Sequence, residues 1–139
     1  MVLSRWFGGN GGHAGKAQAE FPNNTLKIIE IATGWQDGSQ VVAGIKLKWV
    51  GGEIQRFGTS LDNHYVARFF DDDETIETMV VGSGDMVDSI YIKSSKGQEL
   101  QGGGDGGTKR QVDVGKGILL RADIYSGDNL DAIRFDFMD

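Results

Sequence analysis

The sequence predicts an all-β protein, and three observations predict it. Helical periodicity is almost absent, while glycine or Asx clusters interrupt the chain every 8 to 12 residues or so. Apolar and polar residues alternate cleanly in Ile45-Lys-Leu-Lys-Trp49, Ile90-Tyr-Ile-Lys-Ser94 and Ile133-Arg-Phe-Asp-Phe137, the period-2 signature of a half-buried strand. The first residues of these segments, Ile45, Ile90 and Ile133, lie 45 and 43 residues apart, and three such periods fill the 139-residue chain. A fixed period of this length marks repeated supersecondary units.

In the alternating segments Ile45, Leu47, Trp49, Ile90, Ile92, Ile133, Phe135 and Phe137 form the core-facing side. Lys46, Lys48, Tyr91, Lys93, Arg134 and Asp136 form the outer one. Each segment follows an apolar stretch that reaches a glycine: Leu26 to Gly34, Ile76 to Gly82 and Ile118 to Gly127. Before these stretches come short turns at Pro22-Asn-Asn24, Asp71-Asp-Asp73 and Gly115-Lys-Gly117, and before the turns a further strand. A glycine-bearing loop opens each unit, at Gly8-Gly-Asn-Gly-Gly12, Gly58-Thr-Ser60 and Gly102-Gly-Gly-Asp-Gly-Gly107. The expectation is one domain over 1–139, built as three antiparallel four-stranded sheets with pseudo-threefold symmetry. Each sheet borrows its last strand across a unit boundary, and the three pack their inner faces into a three-sided prism.

Composition excludes several functions. Fourteen basic against twenty acidic residues leave a formal charge of −6, which disfavours nucleic acid as a partner because phosphate contacts need a basic surface. The same balance gives no polybasic grip on anionic lipid. No apolar run approaches the roughly 18 residues of a membrane span, so direct membrane insertion is not expected. The opening Met1-Val-Leu-Ser-Arg-Trp-Phe lacks the apolar core and cleavage site of a secretory signal. A cytoplasmic protein, or one released without a classical signal peptide, is therefore expected. The chain has no cysteine, which removes disulfides, thiol nucleophiles and thiolate metal sites. Glycine, at 22 residues, is about twice as frequent as usual, and in this setting marks turns and close backbone approach.

The informative loops precede the alternating strands. They read Gly84-Asp-Met-Val-Asp88 in the second unit and Gly127-Asp-Asn-Leu-Asp131 in the third, both G-x-x-x-D and both two residues before the register isoleucine. Glycine permits a tight backbone that aims successive N–H groups at one point. The terminal aspartate is an acceptor whose two oxygens can take hydrogen bonds from neighbouring hydroxyls. Backbone donors beside a fixed carboxylate suit a vicinal polyol, such as a sugar, whereas a phosphate would be repelled.

With its GGNGG opening, three glycine-punctuated β units and two G-x-x-x-D loops in register, the chain resembles the jacalin-related lectins over essentially its whole length. The resemblance implies a β-prism I fold and cofactor-free, non-catalytic carbohydrate binding. In that family a site joins a G-x-x-x-D loop to the glycine-rich loop that opens the next unit. Carried over, the first site is Gly127, Asp128, Asn129, Leu130 and Asp131 with Gly12, and the second is Gly84, Asp85, Met86, Val87 and Asp88 with Gly107. Each aspartate would accept two sugar hydroxyls, with the two residues after the loop glycine and the partner glycine donating N–H groups. The glycine amides are expected from a neighbouring sheet. The first unit departs from the pattern, with Ala43 at the aspartate position and no GG pair at Gly58-Thr59-Ser60. Two sites are expected rather than three. Its longer loop, Gly34 to Gln40, carries Trp35, a candidate for stacking on a sugar or meeting a partner. An uninterrupted N-terminal loop and Asp128-Asn129-Leu130 in place of aromatic residues match the mannose/glucose-type branch. Tyr125 and Tyr91 are candidates for lying near the sites.

Other motifs carry less. The acidic run Asp71-Asp-Asp-Glu74 sits at a hairpin turn and reads as solvated instead of as a calcium site. Gly103-Gly-Asp-Gly-Gly107 has only one copy of a glycine–aspartate calcium repeat, which needs tandem copies. Near Gly15-Lys16 a phosphate loop fails, because Asn10 and Ala17 stand where Gly and Ser/Thr are required. His13 and His64 are the only histidines, and no HExxH or G-x-S-x-G is present. The carboxylate pairs Asp85/Asp88 and Asp128/Asp131 have nothing beside them to desolvate one member into a general acid. An enzyme is not expected, nor a metal. The reading is a mannose/glucose-type lectin that self-associates as a homodimer or larger homo-oligomer. The alternative is a non-catalytic β-prism module that targets a larger toxin or pore-forming assembly.

Overall fold

The computed structural model describes residues 2–19, 24–59 and 64–139. The expected Pro22-Asn23 turn residues and Ser60 lie outside the described residues. Among the described residues thirteen strands follow in order: β1 (Val2–Leu3), β2 (Phe7–Gly8), β3 (His13–Gln18), β4 (Leu26–Gln36), β5 (Ser39–Trp49), β6 (Gln55–Gly58), β7 (Tyr65–Phe69), β8 (Ile76–Ser83), β9 (Val87–Ser94), β10 (Glu99–Gly103), β11 (Thr108–Gln111), β12 (Leu119–Ser126) and β13 (Leu130–Phe137). They form three antiparallel sheets ordered β6-β5-β4-β7, β10-β9-β8-β11 and β1-β13-β12-β3, with β2 also on β13. This is the expected three-sided β prism.

The third sheet fills its fourth position with two short strands laid end to end on β13. Ser4 explains the break. Its N–H donates to the Phe135 carbonyl at 2.8 Å, and its hydroxyl accepts the Phe135 N–H at 2.9 Å, so one residue bridges the gap between β1 and β2 without a continuous ladder. The chain termini thus close this sheet, while the other two are built from consecutive strands.

The short turns between units do not close hairpins, as expected for the acidic run; they carry the chain from one sheet to the next. β7 pairs with β4 and β8 with β9, so Asp71–Thr75 passes from the first sheet to the second. Asp71, Asp72 and Asp73 are exposed, but Glu74 is buried. Its carboxylate accepts the Asp71 N–H at 3.0 Å, the Gln98 amide at 3.0 and 3.2 Å, and the Ser94 hydroxyl. Lys96 bridges Asp71 and Asp73 at 3.1 and 2.7 Å. Hydrogen bonds and a lysine explain the cluster.

The inner faces are the expected ones. Ile45, Leu47, Trp49, Ile90, Ile92, Ile133, Phe135 and Phe137 are all buried and belong to one core cluster drawn from all three sheets. Full burial of such side chains stabilises by about 1.5–3 kcal/mol each. The outer face is less uniform than alternation suggests. Asp136 is buried with Arg121 3.7 Å away, and buried Glu30 meets Lys46, its cross-strand partner, at 3.1 Å.

Each sheet has its central hairpin flanked by two edge strands that follow or precede one another in the chain. The connection from β10 to β11 therefore crosses the end of the β8–β9 hairpin, as β2–β3 crosses β12–β13, and Gly58 and Thr59 leave β6 in the same way toward β4–β5. The three crossings begin alike. Gly8, Gly58 and Gly103 have φ of 108°, 78° and 89°, and a Cβ on any of them would collide with the carbonyl oxygen of Asp131, Ala43 or Asp88. That same carbonyl accepts the N–H of the following residue, Gly9, Thr59 or Gly104, at 3.0, 3.0 and 2.8 Å. Left-handed backbone and contact at van der Waals limit leave room only for glycine.

Trp49 joins two sheets. Its buried indole N–H donates to the Leu119 carbonyl at 2.8 Å. Trp49→Phe keeps the apolar bulk but strands that carbonyl, which should cost about 1–3 kcal/mol. Urea denaturation is expected to show a lower midpoint at unchanged slope; an unchanged midpoint would mean the bond contributes nothing net.

Candidate functional site

The crossings bring the predicted residues together. Both G-x-x-x-D loops turn in the same way: the Gly84 N–H donates to the Met86 carbonyl at 3.1 Å and the Gly127 N–H to the Asn129 carbonyl at 3.0 Å. A register shift between Gly82 and Ser83 in β8, and between Tyr125 and Ser126 in β12, opens each hairpin at this point. The loops then deliver Asp88 and Asp131 to the beginnings of β9 and β13, half-buried beneath the glycine-rich crossings.

The crossing over Asp131 packs directly on its carboxylate. A Cβ on Gly12 (φ 71°) would strike Asp131 Oδ2, and one on Gly11 would lie 3.4 Å from Oδ1. The second unit repeats this: Gly107 (φ 72°) abuts Asp88 Oδ2, and a Cβ on Gly106 would fall 3.0 Å from Oδ1. Gly12 and Gly107 are where the sequence places them, but each acts as half of a pair. The missed members, Gly11 and Gly106, were legible as the first glycine of each GG.

One expectation is corrected. The glycine-rich partner belongs to the same sheet as its G-x-x-x-D loop, not to a neighbouring one, because the crossing joins the two edge strands of that sheet. Contacts between units do occur beside the sites. The backbone of Gly9 meets that of Asp85, Gly104 meets Gln40, and the Asn129 amide lies 3.4 Å from the Trp35 carbonyl and 3.2 Å from Gln36 Oε1. All three loop systems therefore ring one end of the prism.

Within the loops the predicted residues divide. Asp85 and Asp128 are exposed, as are Gly84 and Gly127, and Met86 is half-buried. Val87 and Leu130 are fully buried in the core, so their side chains anchor the loop and do not face a ligand. Asn129 is only 8% exposed, its amide committed to the first-unit hairpin. Among the described residues no hydrogen bond uses the N–H groups of Asp85, Met86, Asp128 or Asn129. Each loop thus offers two backbone donors and one carboxylate.

The first unit is built differently. Ala43 occupies the place of Asp88 and Asp131, as its carbonyl contact with Thr59 shows, and supplies no carboxylate. The expected long loop from Gly34 is instead a hairpin extension. β4 and β5 run on to Gln36 and Ser39 and close through Asp37 and Gly38, with φ of 52° and 84°, the left-handed pair of a two-residue turn. Trp35 stands 62% exposed on it.

Of the two tyrosines, Tyr125 lies beside a candidate site and Tyr91 does not. Tyr125 lines a cleft of about 610 Å³ with Trp6, Ala132 and the Gly8–Gly12 segment. Tyr91 lies further down β9 and donates its hydroxyl to Glu99 at 2.6 Å. Trp6 was not anticipated; only its exposure beside a glycine loop marks it. Among the described residues no group of three or more His, Asp or Glu is placed to hold a metal ion.

Comparison with known proteins gives the fold a name. Neither a family model nor a curated protein matches the sequence. Solved structures do. Malaysian banana lectin aligns at a TM-score of 0.80 and 20% identity over 99% of this chain and 97% of its own. The mannose-binding lectin from Champedak aligns at 0.77 and 20% identity, over 99% and 96%. A lamprey immune protein aligns at 0.85 and 24% identity over 99% of this chain, which spans 44% of that protein's length. The structural neighbours include jacalin-related lectins, and the chain carries their β-prism fold.

The two aspartates also allow a test of the local electrostatics. Burial beneath the crossing and the negative charge of Asp85 push the Asp88 carboxyl above its ordinary value, outweighing the opposite pull of the nearby Gly84 N–H. Carboxyl-detected NMR titration should place the Asp88 midpoint above the usual value of about 3.9, and Asp85→Asn should move it down. A midpoint at or below the usual value, or one indifferent to Asp85→Asn, would contradict this geometry.

Proposed function

We propose that this protein is a carbohydrate-binding lectin of mannose/glucose type with two sites per chain. One centres on Asp131 with Gly12, Gly127, Asp128 and Asn129, the other on Asp88 with Gly107, Gly84, Asp85 and Met86. What carries the reading is the twice-built juxtaposition of a half-buried carboxylate, a glycine pair packed on it and two uncommitted backbone N–H groups. Adjacent equatorial and axial hydroxyls of a pyranose both donate and accept. The carboxylate would accept hydrogen bonds from two hydroxyls while the amides donate to the same or the next oxygen. Glycine is required at the crossing because a side chain there would fill the space above the carboxylate.

The neighbours support this class of ligand. The Champedak protein is a mannose-binding lectin, and artocarpin, at a TM-score of 0.72 and 19% identity, was solved with methyl α-mannose. The role we assign is binding without catalysis. Burial and the charge of Asp85 do push the Asp88 carboxyl up, correcting the expectation that nothing desolvates a member of that pair. Its partner Asp85 is exposed, however, as is Asp128, and in this reading Asp88 holds hydroxyls and protonates no leaving group. Each site is small, so its affinity is weak, since sugar hydroxyls surrender good bonds to water. Two sites per chain, multiplied by self-association of copies, supply avidity.

A second reading is that the prism is the recognition module of a larger protein. The 44% coverage of the lamprey immune protein is the observation that favours it. The two readings differ in whether the loop end meets sugar or protein.

Calorimetric titration with methyl α-mannoside separates them. The wild type should bind two equivalents. Asp131→Ala and Asp88→Ala should each leave one, the lost site weakened by about 3 kcal/mol, or roughly 100-fold. The double variant should bind none while keeping its melting temperature. Unchanged binding in the double variant would show that the sites are wrongly assigned, and a silent wild type would favour the protein-binding module.

A further inference from the structure

The two sites differ in what surrounds them. The outer face of the third sheet can be read in rows from the paired strands. The row nearest the loops is Gly8-Ala132-Tyr125-Ala14, and the next carries Arg134, Asp123 and Lys16. Trp6, two residues before Gly8, covers this second row: its ring lies 4.6 Å from the Arg134 guanidinium carbon and 5.3 Å from the Tyr125 ring, tilted by 54°. Arg134 is itself held by Asp123 Oδ2 at 3.0 and 3.2 Å. The indole is therefore fixed from behind by a cation–π contact, and Trp6 and Tyr125 remain 37% and 38% exposed. These two aromatic residues line the 610 Å³ cleft that includes Gly11 and Gly12, and also a second one of about 380 Å³ that runs on to Lys16. Asp131 does not line either cleft; the aromatic surface begins where the Asp131 site ends.

The threefold repeat supplies an internal control. Gly103 occupies the place of Gly8 in the second sheet, so Gln101 stands where Trp6 does. The register shifts make Gly82 the counterpart of Tyr125. The Asp88 site has neither ring of the pair.

Resting on the lectin reading, we propose that Trp6 and Tyr125 form an extended subsite for the second and third residues of an oligosaccharide bound at Asp131. The Asp88 site, lacking them, takes a single terminal sugar. The chemistry is that of a pyranose ring: its C–H face packs on an aromatic ring while its edge hydroxyls remain in water. The occupant is an uncharged oligosaccharide. The guanidinium of Arg134 is paired with Asp123, which also meets Arg121 at 3.3 Å, and Lys16 at the far end of the groove is exposed to water.

The test isolates each site. In an Asp88→Ala background, mannotriose should bind the remaining site about tenfold more tightly than methyl α-mannoside, a gain typical of one good aromatic contact. In an Asp131→Ala background the two sugars should bind equally. Adding Trp6→Ala or Tyr125→Ala to Asp88→Ala should abolish the trisaccharide gain while methyl α-mannoside binds as before, which also shows the site intact. Tyr125→Phe, which keeps the ring, should retain the gain. Equal affinity for both sugars at the Asp131 site would overturn the subsite while leaving the lectin reading standing. So would a gain that survives loss of both rings. Binding of neither sugar in any background would overturn both.

Discussion

A backbone crossing over the end of a hairpin constrains everything else in this protein. Each sheet places two edge strands, joined by a short connection, on either side of a central hairpin. The connection can reach from one edge to the other only by passing close over the hairpin's end. At Gly8, Gly58 and Gly103 it touches the carbonyl oxygen of the bulge residue that the register of the inner strand skips, Asp131, Ala43 or Asp88, and the next N–H bonds to that oxygen. This contact holds the crossing against the sheet. It also decides where a carboxylate at that residue will point, because its side chain emerges beneath the glycines that follow. Architecture and candidate chemistry thus share one set of contacts.

The three units show what happens when that shared set is kept or relaxed. In two of them an aspartate lies under a glycine pair, and the five-residue loop that ends in it is closed by one internal hydrogen bond. In the first, Ala43 replaces the aspartate, and the hairpin grows outward through Trp35 and the Asp37–Gly38 turn. Freed of a carboxylate, this unit contributes packing: its hairpin engages Asn129 on one side and Gly104 on the other. The two remaining candidate sites also diverge, since aromatic residues flank Asp131 where Gln101 and Gly82 stand beside Asp88.

Much of the architecture was legible in the sequence because it rests on short-range pattern. Alternation at Ile45, Ile90 and Ile133 marks the inner strands, and their spacing marks the repeat. The residues Gly12, Gly107, Asp88 and Asp131 were legible for the same reason, being fixed by register to those strands. Long-range pairing was not. Nothing local to β7 tells whether it joins β4 or β8, so the acidic turn reads as a hairpin and the glycine loops read as partners from another sheet. The extended first hairpin was legible in Asp37-Gly38, a strong two-residue turn signal, yet the glycine at Gly34 suggests a loop. Trp6 was invisible as a neighbour of Tyr125, because the contact depends on an N-terminal segment returning to pair with the last strand.

In the proposed lectin, the backbone amides of the two short loops and the glycines above the carboxylates form the surface that meets sugar hydroxyls. Amide chemical-shift mapping during titration with methyl α-mannoside tests it most directly. The account predicts two separate clusters of shifted amides, one at Gly12, Asp128 and Asn129 and one at Gly107, Asp85 and Met86, with the rest of the spectrum nearly still. Shifts confined to other faces of the prism, or none at saturating sugar, would contradict it.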